Sequence, residues 1–143
     1  MNRLTMLGCA VADVVLAASV AAAKDYKRVE EVYKGSTTVV GEAVVYPEGE
    51  AEIRSVVVTL LPGEETGWHT HAVPLFGYVL EGEVTVDYAG HGSRTFGQGA
   101  GFMEAMATGH NGRNTGTTPC RILAVFIGAK GMPLKHPAPA ADP

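Results

Sequence analysis

Between residues 51 and 127 the chain alternates short β-branched or aromatic runs with turns built on glycine and proline, a pattern that leaves no room for long helices. Residues 52–61 form the longest run, rich in valine and leucine and stopped by Pro62 and Gly63. Runs at 76–80 and 83–88 flank Glu81 and Gly82, which predicts a hairpin with glycine in its turn. Gly90, His91 and Gly92 mark a further turn before 93–96, and Gly97 and Gly99 another. Strands are then expected at 102–105, 109–114 and 121–127. Upstream, 37–40 and 42–46 read as two strands split by Gly41 and ended by Pro47. After residue 23 no amphipathic helical period exceeds about two turns, while turns recur roughly every 8–12 residues. The expected class is all-β, a sandwich or barrel.

A chain of 143 residues builds one ordinary domain. Apolar residues at 46% and charged residues at 18% supply a packed core and argue against disorder. The net charge of −4 comes with no basic cluster, which disfavours a nucleic-acid partner. The expected organisation is a leader over 1–23, N-terminal strands over 24–50, a barrel over 51–128 and a loose, proline-broken tail over 129–143.

Residues 1–23 have the form of a secretory signal peptide. Arg3 supplies the positive start, 4–20 are mostly apolar, and Ala21, Ala22 and Ala23 offer small residues for cleavage. Asp13 interrupts the apolar run, and an uncleaved anchor or a cytosolic extension stand as alternatives. Cleavage would place the protein in the periplasm or outside the cell, free of the membrane, with Cys120 as its only cysteine. A single cysteine forms no internal disulfide. Its position at the start of an apolar run marks Cys120 as a buried small hydrophobe rather than a nucleophile.

The chemistry is concentrated in histidines. His69 and His71 are one residue apart in extended sequence, so both side chains leave the same face of a strand. Two imidazoles side by side make half of a metal site, and His110 is positioned downstream to complete it. His91, in a turn, and His136, in the tail, are expected in solvent.

Two spaced motifs carry a family resemblance. The first has Gly63, His69, His71 and Gly82, with Leu75 standing where a glutamate is usual; the second has Gly99, His110 and Asn114, with Ala105 and Ala107 in place of a proline and a glycine. On these residues the chain resembles the cupin superfamily over about residues 51–127. The resemblance implies a double-stranded β-helix, or jelly-roll, barrel in which His69, His71 and His110 hold one divalent transition metal. It also implies a small-molecule substrate inside the barrel and pairing into a homodimer, since cupins often form dimers. Loss of the glutamate leaves three neutral imidazoles, which leaves iron, zinc, manganese, nickel and copper undistinguished. Three-histidine iron centres occur among cupin oxygenases, so a dioxygenase-like reaction leads, followed by isomerase or lyase chemistry and by binding without turnover.

Glu104 stands in the otherwise apolar stretch 101–107, where a carboxylate needs a reason. If 102–104 and 110–112 pair as a hairpin, Glu104 faces His110 directly, with Cβ atoms about 4.5–5.5 Å apart. It would then be a fourth ligand or a catalytic acid/base; with a slip of one residue it reaches solvent at the barrel mouth instead. Trp68, Phe76 and Tyr78 are read as core more readily than pocket, Arg113 as a surface residue, and Asn111 as a neighbour able to orient an anion. Glu64 and Glu65 read as a solvated loop.

Overall fold

Alternation of buried and exposed side chains sets the architecture. In β3 (Leu75–Glu81), β4 (Glu83–Tyr88) and β8 (Cys120–Ala129) every second residue is buried over most of the strand. Val79, Val84, Val86, Tyr88 and Ile122 meet as a core between two facing layers. The computed structural model describes residues 27–140, so the signal-peptide reading of 1–23 lies outside the described residues. Of the described residues, those from Glu31 onward form one compact unit.

The other strands are β1 (Ala51–Leu60), β2 (His69–Thr70), β5 (Gly92–Gly97), β6 (Gly101–Met103), β7 (His110–Arg113) and β9 (His136–Pro137). They form two antiparallel sheets, ordered β1-β8-β3-β6 and β5-β4-β7-β2-β9. No helix occurs among the described residues. The all-β expectation therefore holds, and two facing antiparallel sheets suit a jelly roll.

Four local expectations are corrected. The runs 76–80 and 83–88 are strands but not a hairpin: β3 pairs with β8 and β6, whereas β4 pairs with β5 and β7 in the other sheet. Gly82, at φ +71°, carries the chain across this corner, and a Cβ there would meet the Pro119 carbonyl oxygen at 2.5 Å. The expected pairing of 102–104 with 110–112 is absent for the same reason, because β6 lies in the first sheet and β7 in the second. The runs 37–40 and 42–46 are not strands; a single bridge joins Thr37 to Ala43 around Gly41, whose φ is +89°. Finally, the tail expected to be loose from 129 onward is held to the barrel. β8 runs to Ala129, β9 pairs with β2, and Met132 and Leu134 pack against the cluster of Val73, Leu75 and Phe126.

The hairpin that does form joins β4 to β5, with Tyr88 opposite Gly92. β1 pairs with β8 along its whole length and has no second neighbour among the described residues. Val56, Val58 and Leu60 on its inner side line the interior, while Ile53 and Val57 on the other side are exposed.

Candidate metal centre

Register brings two of the three histidines together. His69 on β2 is the cross-strand partner of His110 on β7, so their side chains share one face of the sheet. His71, two residues on, returns to that face. The ring centroids are 4.5 Å apart for His69 and His110, 4.9 Å for His69 and His71, and 5.0 Å for His71 and His110. One ligand nitrogen from each ring lies within 4.8 Å of the other two.

Each ring is oriented from behind by a backbone carbonyl. The Nδ1 atoms of His69, His71 and His110 lie 2.7, 2.8 and 2.9 Å from the carbonyl oxygens of Gly67, Leu134 and Thr108. A carbonyl only accepts, so Nδ1 must donate, and each neutral ring keeps its free lone pair on Nε2. Burial, the largest influence on each ring, depresses all three pKa values, that of His71 to about 3. The rings are therefore neutral at pH 7, the state in which imidazole binds a metal.

A divalent transition metal fits this donor set. His110 is 1% exposed, and its Nε2 is buried with no hydrogen-bond partner. Such an atom normally carries a cost of about 1–3 kcal/mol, which a cation shared with His69 and His71 would relieve. Among the described residues no carboxylate joins the three nitrogens at comparable distance. Leu75, in the position of the usual glutamate, instead presents an apolar side chain to the same cavity.

Glu104 reaches the cavity by a route other than the one expected. Its backbone N–H donates to the Leu75 carbonyl at 2.9 Å, continuing the β3–β6 ladder, and its side chain lines the interior together with the three histidines. Oε1 accepts a hydrogen bond from the Ala105 N–H at 2.8 Å. Burial outweighs that bond and the nearby Tyr88 hydroxyl, and pushes the carboxyl up to about 7. The Tyr88 hydroxyl is itself buried without a close hydrogen bond, and burial raises its pKa first, followed by the Glu104 charge.

The cavity has a volume of about 400 Å³ and mostly apolar walls, among them Val58, Val86, Phe102, Ile122 and Phe126. Trp68, Phe76 and Tyr78 are not among its lining residues. Arg113 faces away, with Nε 2.7 Å from the Asp87 carboxylate. Asn111 also serves the scaffold: its Nδ2 donates to Glu65 at 2.9 Å. Glu64 accepts from the Leu61 N–H at 2.7 Å, so both acids of the supposed solvated loop have structural partners. Cys120 is fully buried, and burial raises its thiol pKa, as suits a core residue.

Three contributors escaped the sequence. Tyr88 is the cross-strand partner of His110 and ends the alternation Val84, Val86, Tyr88, so its inward direction could have been read. Leu134 acts through its carbonyl and Lys135 reaches the cavity from a segment without periodicity. Neither has a signature in sequence.

A family model described as a cupin domain matches residues 56–126, which span both histidine motifs. The chain belongs to the cupin superfamily. Among solved structures this cupin is similar to the oxalate decarboxylase of Lactobacillus farciminis in complex with formate. The identity is 21% and the TM-score 0.53, covering 59% of this chain and 26% of that one. It is also similar to a variant of the Bacillus subtilis oxalate decarboxylase, at 26% identity and a TM-score of 0.50, covering 53% of this chain and 22% of that one. The cupin thus spans about a quarter of the length of those decarboxylase chains. No curated protein sequence matches it.

Proposed function

We propose that this cupin is a metal-dependent enzyme that transforms a small organic molecule inside its barrel, with His69, His71 and His110 as metal ligands and Glu104 as the acid/base. The convergence of three Nε2 lone pairs, each aimed inward by a carbonyl behind its ring, carries this reading. A divalent transition metal held there would supply a Lewis acid or an oxygen-binding centre. The chain's own residues do the rest. A carboxyl with a pKa of about 7 divides between acid and base at neutral pH, so Glu104 can both take and return a proton. The apolar walls keep water from competing for that proton.

Dioxygenase-type cleavage is the first reaction class to test, because the ligand set is three neutral imidazoles. Isomerase or lyase chemistry is the second, and Glu104 favours it, since proton transfer needs no oxidant. Export through residues 1–23 and pairing into a homodimer belong to the same proposal. The pairing is supported by β1, which among the described residues is the terminal strand of its sheet and whose outward face leaves Ile53 67% and Val57 48% exposed.

The deciding experiment measures metal content after expression in metal-supplemented medium, followed by a substrate screen under oxygen and under argon. About one equivalent of metal is expected, falling below about a tenth in His110→Ala. Turnover only under oxygen selects the dioxygenase; turnover under both gases selects the isomerase or lyase. Stoichiometric ligand binding with no metal and no turnover would replace the enzyme with a binding protein.

A further inference from the structure

The charge of the cavity and the chemistry of its walls point to one class of ligand. Lys135 supplies the only lysine or arginine side chain among the lining residues, and it makes no ion pair among the described residues. It follows Leu134, whose carbonyl holds His71, so the C-terminal segment sets a cation at the rim beside the histidines. Its charge acts on both His69 and His71.

The replacement of the family glutamate by Leu75 works in the same direction. Three imidazoles bring no negative charge, so a divalent ion bound to them keeps its full charge, and Lys135 adds another. Glu104 is the single acid facing this positive field. The remaining wall offers hydrocarbon: Val58, Val84, Phe102 and Ile122 can take an alkyl or aryl body but no second charge.

We propose that the cavity binds a singly charged amphipathic carboxylic acid, its carboxylate between the histidines and Lys135 and its apolar body against the inner faces of the two sheets. This rests on the metal-dependent reading above. A phosphate ester suits the site less well, because no arginine lines it to match a phosphate in two-point contact. A small dianion such as oxalate would leave the hydrocarbon walls unfilled.

Isothermal titration of the purified full-length protein, with and without one equivalent of Zn²⁺, tests the proposal with butyrate, hexanoate, octanoate, octanol and oxalate. With zinc, octanoate should bind roughly tenfold tighter than octanol. Each added methylene between butyrate and octanoate should tighten binding about threefold. Lys135→Met should weaken octanoate roughly three- to tenfold, with octanol and the zinc stoichiometry unchanged. Lys130→Met is the control, since Lys130 pairs with Glu50 and does not line the cavity; it should change nothing. Octanol binding as tightly as octanoate, oxalate binding more tightly than octanoate, or an indifferent Lys135→Met would each overturn the proposal. Octanoate binding that depends on Lys135 in protein that takes up no zinc would support the acid class and refute the metal. Loss of both zinc and octanoate binding would refute both readings.

Discussion

His71 donates its Nδ1 proton to the carbonyl oxygen of Leu134, 63 residues further along the chain, at 2.8 Å. This bond ties the first histidine motif to the C-terminal segment, whose β9 pairs with β2 two residues further on. It orients one candidate metal ligand from the C-terminal end of the protein.

The bond makes metal affinity depend on the tail. A chain ending at Gly131 should lose roughly 10–100-fold in zinc affinity, the usual effect of removing a partner that orients a ligand. Leu134→Ala removes packing on the cluster around Val73 but keeps the carbonyl, so it should lower stability with little change in affinity. Competition titration with a chromogenic chelator measures both variants. Equal affinity in the shortened chain and the intact protein would show that the carbonyl does not orient His71.

Glu42 does for His110 what the tail does for His71, one step removed. Its Oε1 accepts from the Thr108 N–H at 2.7 Å and the Thr108 hydroxyl at 2.8 Å, and its Oε2 accepts from the Met106 N–H at 2.6 Å. Thr108 in turn holds His110 through its carbonyl. Burial works against the Glu42 charge, but these hydrogen bonds outweigh it and keep its carboxyl below the ordinary range. Glu42→Ala should cost about 1–3 kcal/mol in urea unfolding, because backbone donors lose their acceptor. It should also weaken zinc about tenfold. A stability loss with unchanged zinc affinity would confine Glu42 to the scaffold.

The sequence made the histidine faces legible and the sheet partners illegible, and the reason is the same in both cases. Alternation reports which side a residue faces, but not which strand lies alongside. A hairpin around Glu81 and Gly82 would set Val79 opposite Val84 and Gly77 opposite Val86, all inward; the observed corner also leaves them inward. The pattern is identical, so it cannot separate the two. Glu104 shows the converse. Its inward direction was expected from a hairpin with β7 that does not exist, and it faces the cavity through pairing with β3 instead. The acid in an apolar stretch was the sound part of that argument. Leu134 was beyond reach because a backbone carbonyl has no side-chain identity to read.

The buried titrating groups predict how the metal-free protein responds to pH. The three histidines are depressed in the fold, so below their unfolded value of about 6.5 the unfolded chain binds more protons. Their contribution is intact above pH 6.5 and is lost as the pH falls below it, that of His71 only as the pH approaches 3. Glu104 is raised to about 7, so its contribution is present below about 4.5 and lost as the pH rises toward 7. Between pH 7 and 4.5 it partly offsets the histidines, three against one. The melting temperature in chelator should fall from pH 6.5 to 4.5, and Glu104→Gln should make that fall steeper. An unchanged slope in Glu104→Gln would mean that its carboxyl titrates as an ordinary exposed group, and a flatter one that the fold lowers its pKa.

Leu75 tests where the missing ligand would stand. Its side chain is 7% exposed and lines the cavity, while its carbonyl receives the Glu104 N–H. Leu75→Glu removes buried hydrocarbon and introduces an acid that must stay protonated or find a cation, which should destabilise the metal-free protein by about 2–5 kcal/mol. With a metal present the same carboxylate gains a partner, so the variant should show a larger rise in melting temperature on adding zinc than the wild type. Differential scanning fluorimetry across a zinc series, with His110→Ala as the background, separates the two contributions. If zinc raises the melting temperature of Leu75→Glu no more than that of the wild type, this side chain does not point at the ion, and the three histidines would have to bind it without any carboxylate within reach of position 75.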